Sequence, residues 1–117
     1  MFDIYMSVNK VILLGYVGND PDIRYPEKDR AVAFLSLATN EYYANSSTEI
    51  TEWHRLVMGG QNALLAEKYI RKGTQLYVEG RLKSREYEDK FKIRRRVTEI
   101  IVDRVELLGR KQEPPAP

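Results

Sequence analysis

Over residues 75–87 apolar and polar side chains alternate one for one: Leu76, Val78, Gly80 and Leu82 against Tyr77, Glu79, Arg81, Lys83, Arg85 and Tyr87. Successive side chains of a strand point to opposite faces, so this stretch predicts a long strand. Its even positions face a core, and its odd positions carry rings and cations outward. A lone strand is unstable in water, and the rest of the chain supplies partners. Residues 9–15 read as a buried strand around Val11, Ile12, Leu13 and Leu14, followed by turn chemistry at Gly18, Asn19, Asp20 and Pro21. Gly15 and Gly18 suggest a bulge or bend there. Residues 31–40 form a second strand with both faces partly apolar, residues 45–48 a polar loop, and residues 51–58 a third strand. The one convincing helix covers residues 60–72, with Leu65 and Tyr69 on one stripe, Ala63, Ala66 and Ile70 beside it, and Gly73 as a left-handed stop. Glu88, Asp89 and Lys90 make a turn, and the last strand runs over residues 91–108.

Three strands, one helix and two strands is the order of an all-β OB-fold, a five-stranded antiparallel barrel with one α-helix between the third and fourth strands. An immunoglobulin-type sandwich would need about seven strands and no such helix. A chain of 117 residues holds one core, so residues 1–109 are expected to be a single domain and residues 110–117 a short Pro-rich disordered tail.

The chemistry is narrowed by what is missing. The chain has no cysteine and one histidine, His54, which leaves no thiolate nucleophile, no Cys-based zinc site and no His-rich metal cluster within one subunit. Neither a phosphate-cradling glycine loop nor a nucleophile elbow is present. The pairs Asp20 with Asp22, and Glu86 with Glu88 and Asp89, stand in turn-forming stretches where solvated carboxylates are the default. No enzyme, cofactor or metal is expected. The longest aliphatic run, residues 11–14, is far short of the roughly 20 residues of a membrane helix, and the first residues lack the basic flank and apolar run of a signal peptide. The expectation is a cytoplasmic, nucleoid-associated protein without a membrane partner.

Net charge is only +2, but residues 68–96 hold 11 basic and 4 acidic side chains where residues 1–67 hold 5 and 9. One positive third attracts a polyanion locally; the alternative is a solvated basic face. The basic residues interleave with rings. Tyr77, Arg81, Lys83, Arg85 and Tyr87 share one face, and Lys92, Arg94 and Arg96 repeat the pattern on the next strand. An unpaired polynucleotide offers phosphates to cations and bases to flat rings, so the pattern suits single-stranded nucleic acid. Trp53 reads equally as core or as a stacking platform beside Arg55. Of Tyr42 and Tyr43 at most one is core. His54 reads as an interior or interface hydrogen-bonding residue.

The segments Val8-Asn9-Lys10-Val11-Ile12-Leu13, Asn19-Asp20-Pro21-Asp22-Ile23-Arg24-Tyr25, Leu37-Ala38-Thr39, Thr51-Glu52-Trp53-His54-Arg55, Tyr69-Ile70-Arg71-Lys72-Gly73 and Tyr77-Val78-Glu79-Gly80-Arg81-Leu82 together resemble the bacterial single-stranded DNA-binding protein family. The likeness is collinear over residues 8–109. It implies an OB-fold assembled as a homotetramer, a dimer of dimers, that binds and protects single-stranded DNA without sequence preference in replication, recombination and repair. The family's stacking rings fall on Tyr43, Trp53 and Tyr87; a fourth falls on Gly59, and Phe34 is the candidate substitute. Phosphate contacts are expected from Arg55, Lys72, Arg81, Lys83, Arg85, Arg94 and Arg96. Subunit contacts are expected from Asn9, Val11 and Leu13 on the first strand, with His54 and Tyr77. The family's acidic, aromatic-tipped C-terminal extension is not in this sequence, so recruitment of replication and repair enzymes through it is not expected. The rival reading is a tail-less OB accessory factor of the replication-restart type, acting mainly through protein partners.

Overall fold

A computed structural model describes residues 7–45 and 47–110, Arg110 by its backbone alone. Residues 111–117 of the proposed tail and the first six residues lie outside the described residues, while Arg110, expected in the tail, is the last residue of a strand. In chain order the elements are β1 (Val11–Val17), β2 (Asp22–Glu27), β3 (Arg30–Tyr42), β4 (Glu49–Gly59), α1 (Gly60–Tyr69), β5 (Thr74–Glu88) and β6 (Arg94–Arg110).

The sheet runs β1-β5-β6-β4-β3-β2, and β1 also pairs with β3. Those contacts close β1, β5, β6, β4 and β3 into a five-strand ring, the arrangement the element order predicts. Closure happens near Gly15, where β1 leaves one neighbour for the other: Tyr16 pairs with both Gln75 of β5 and Ala38 of β3. Within the ring the β4–β6 contact is parallel, with Leu56 beside Ile100 and Val57 beside Ile101, and the other contacts are antiparallel. Leu37, Leu56, Met58, Leu76 and Val78 fill the interior. The helix packs on the ring with Ala63 and Ala66, and Ile70 just past its end joins them, none of the three accessible. The small alanines let the helix approach the strands closely, and each buried methylene contributes about 0.8 kcal/mol.

Four details differ from the sequence pattern. First, β2 is an additional strand, an edge hairpin on β3 whose register slips between Arg24 and Glu27, around Pro26. Proline is tolerated at an edge, and an exposed edge shows little apolar alternation. Tyr25 of β2 donates its hydroxyl to the Glu67 carboxylate of α1 at 2.9 Å. Second, α1 ends at Tyr69, and Tyr69 is exposed, so the buried stripe is the alanine one. Gly73 lies in the loop beyond, where its left-handed backbone (φ 90°) lets its N–H donate to the Val17 carbonyl at 2.8 Å. Third, the last strand starts at Arg94, not Phe91. Fourth, Leu82 is not inward but 50% exposed. The β1–β5 pairing ends at Val11 and Gly80, so beyond Gly80 no β1 residue lies alongside β5. The Asn9 side chain takes the backbone's place, donating Nδ2 to the Leu82 carbonyl and accepting the Leu82 N–H, both at 2.9 Å. The β5–β6 hairpin continues past this point as a two-stranded arm.

Candidate nucleic-acid interface

Residues directly opposite one another in a ladder share a face. On β3 and β4 the pairs Phe34 with Val57, Ser36 with Arg55 and Ala38 with Trp53 all face away from the core. Val57 stands beside Ile101 of β6. From there the β5–β6 pairs Arg81 with Ile101, Lys83 with Glu99, Arg85 with Val97 and Tyr87 with Arg95 carry the same face onto the arm. One outward wall therefore joins Phe34, Trp53, Arg55, Arg81, Lys83, Arg85 and Tyr87. At its centre is a shallow depression of about 320 Å³ whose lining includes Asn19, Phe34, Ser36, Arg55 and Glu99.

Trp53 is 60% exposed, so it is a surface ring and not core. Its position is set by Gly18. A methyl group there would lie 2.3 Å from Cζ3 of the indole, closer than any real contact. Gly18 itself is fixed by its N–H to the Ser36 carbonyl at 3.0 Å, and the next residue, Asn19, accepts the Ser36 N–H at 3.0 Å and the Ser36 hydroxyl. The indole thus rests on a pinned, side-chain-free stretch of backbone. The sequence offered Gly18 as a bend; its role as a floor for Trp53 needed coordinates.

Tyr87 is 44% exposed, and the Arg85 guanidinium lies over its ring, 5.6 Å from the centroid. Arg85 donates Nε to Oε1 of Glu99 at 2.9 Å and Nη2 to Oε2 at 3.4 Å. Glu99 is only 7% exposed. Its hydrogen bond and charge raise the Arg85 pKa above the ordinary arginine value. The buried carboxylate holds the cation, and the cation holds the ring.

Other cations are engaged within the chain. Arg81 pairs with Asp103 at 2.6 Å and Arg94 with Glu86 at 3.2 Å. Among the described residues Arg55, Lys72, Lys83 and Arg96 make no ion pair. Arg94 and Arg96 are not on the wall: they stand opposite Glu88 and Glu86, on the other face of the arm. An odd-length turn pairs even positions with even ones, so this parity was legible in the sequence. Arg95, which the sequence reading passed over, takes the place beside Tyr87. Lys72 is exposed in the loop after α1, where its N–H donates to Asp20 Oδ1 at 2.8 Å. Tyr43 is exposed just past β3; Tyr42, also exposed, shares the outward face with Trp53, opposite Glu49, whose charge raises its pKa. Phe34 is half-buried beneath Arg24, 5.3 Å from its ring centroid.

The residues expected at subunit contacts divide. Val11 and Leu13 pack against the chain's own core, because alternation turns Ile12 and Leu14 outward instead. Asn9 brackets Leu82 as described. His54 is half-buried with Nε2 2.9 Å from the Thr39 hydroxyl. Tyr77 donates its hydroxyl to Glu79 at 2.6 Å, which raises its pKa and lowers that of Glu79, a carboxylate also bonded to Lys10. Among the described residues no group of three or more His, Cys, Asp or Glu could hold a metal, and no helix is long and apolar enough to cross a membrane.

A closed five-strand ring with one helix and an outward wall of rings and cations defines an oligonucleotide-binding barrel. Over residues 8–108 the sequence matches the single-strand binding protein family, so the chain belongs to that family, which binds DNA and is not an enzyme family. The chain is also similar to the protein in the structure of a Plasmodium falciparum SSB complex with ssDNA, at 37% identity over 93% of this chain and 100% of that one, with a TM-score of 0.78.

Proposed function

We propose that the chain binds single-stranded DNA along the outward face of β3, β4, β6 and β5, stacking bases on Trp53, Tyr87 and Phe34, and on Tyr43 just past the end of β3, while Arg55, Arg81, Lys83 and Arg85 meet phosphates. The observation that carries this reading is the in-register wall on which exposed Trp53 and Tyr87 share a face with unpaired Arg55 and Lys83. Every base has a flat face, so stacking is indifferent to sequence. Duplex DNA hides those faces and binds far more weakly. Lys72, and Arg94 and Arg96 on the reverse of the arm, serve a strand that wraps beyond the wall.

Assembly as a homotetramer is part of this reading. Ile12 and Leu14 on β1 and Leu108 on β6 are exposed apolar side chains that a partner subunit would cover. A coated single strand is the intermediate of replication, recombination and repair, and the chain acts on it in the cytoplasm, at the nucleoid. Titration of Trp53 fluorescence with poly-dT at two salt concentrations tests the binding, and light scattering tests the subunit number. Quenching that weakens with salt is expected; an unresponsive Trp53 would sink the stacking assignment.

A further inference from the structure

The tip of the β5–β6 arm carries an apolar ring that nothing in the barrel covers. Phe91 is 70% exposed, with Lys90 Nζ 5.1 Å from its ring centroid. Its position is built, not loose. Asp89 Oδ1 accepts the backbone N–H groups of both Phe91 and Ile93 at 2.9 Å. The Asp89 backbone pairs with Ile93 and Lys92 at 3.0 Å, and Lys92 takes a left-handed conformation (φ 60°) to allow it. Arg95 donates to the other carboxylate oxygen at 3.0 Å. One aspartate thus folds the turn and fixes where the phenyl ring stands.

Charge decides what such a ring faces. Lys90, Lys92, Arg94, Arg95 and Arg96 crowd the tip, and two of the nearby acids, Glu86 and Asp89, are already paired with Arg94 and Arg95. A phenyl ring ringed by cations is a poor match for a neutral apolar partner and a good one for a polyanion that also offers flat apolar surfaces. An unpaired nucleotide has both.

We propose that Phe91 is an additional stacking platform, taking one unpaired base at the arm's tip while Lys90 and Lys92 hold the flanking phosphates. The inference rests on the single-strand reading of the wall and extends the path of the strand from Tyr87 around the turn. Its test keeps the two apart. Trp53, the sole tryptophan, reports the wall in the natural chain; Phe91→Trp in a Trp53→Phe background reports the tip. Oligo-dT is expected to quench both. Phe91→Ala is expected to weaken oligo-dT binding about 5- to 150-fold, the range for losing one stacked base, with an unchanged melting temperature, because the ring is exposed. If Trp53 responds while the tip reporter stays silent and Phe91→Ala binds normally, the tip assignment is overturned and the wall survives. If neither responds, both are overturned. If Phe91→Ala alters only the mass in solution, the tip is a contact between copies and the proposal is wrong.

Discussion

Gly18→Ala is expected to displace the Trp53 indole without altering its chemistry. The added methyl would lie 2.3 Å from Cζ3 and 2.8 Å from Cη2, where unstrained carbons sit about 3.5–4.0 Å apart. The ring must therefore retreat by at least about 1.2 Å, out of the geometry in which it meets a base. The backbone has no objection: Gly18 is not in the left-handed region, and alanine keeps the N–H that bonds Ser36. Loss of one stacked base removes about 1–3 kcal/mol, which is about 5- to 150-fold in dissociation constant. Calorimetric or fluorescence titration with oligo-dT reads this directly, and a melting curve should move little. Because the substitution acts through Trp53, Gly18→Ala combined with Trp53→Ala should bind no more weakly than Trp53→Ala alone. Full affinity in Gly18→Ala, or losses that add in the double variant, would refute the argument.

Three further outcomes follow from the same geometry. The log–log dependence of affinity on salt should fall with a slope of about −0.7 per phosphate contact, and Lys83→Ala or Arg55→Ala, which make no ion pair, should each flatten it by about that amount. Gly59→Phe should tighten oligo-dT binding, because Gly59 has extended backbone (φ −125°) and open space where a side chain would go; unchanged affinity would mean that the strand does not pass there. The Ile93 N–H, Arg95 and the Phe91 N–H lower the Asp89 pKa from its ordinary 3.8. The ionised carboxylate therefore supports the turn above about pH 4. That support disappears as pH falls through the lowered value, and the protection of the Phe91 and Ile93 amides relative to their intrinsic exchange rates should fall there, while in Asp89→Ala that protection is low at every pH.

The ring topology was legible because its signals are local and redundant. Alternation in β5, the aliphatic run of β1 and the single helical segment fix the element order, and the order selects the barrel. The parts that were not legible depend on where strands stop pairing. Leu82 alternates as a core residue, yet β1 runs out two residues earlier, at Gly80. β2 escaped notice because an exposed edge with Pro26 has no pattern to read. Val11 and Leu13 turn inward while Ile12 and Leu14 turn outward, a choice set by pairing with Val78 and Gly80 rather than by residue type. Trp53 looked the same to the sequence as core or as platform; its exposure, which depends on where the strands pair, excludes the core. Parity across the odd-length turn puts Arg94 and Arg96 on the reverse face of the arm, opposite Glu88 and Glu86, and this much the sequence does contain.

One surface is proposed to carry the strand, and nuclear magnetic resonance mapping with oligo-dT tests that most directly. Chemical shifts are expected to move at Phe34, Trp53, Arg55, Lys83 and Tyr87, and to stay fixed at Gln61, Leu64 and Lys68 on the outer side of α1. Perturbations concentrated on the helix, with the wall silent, would contradict it.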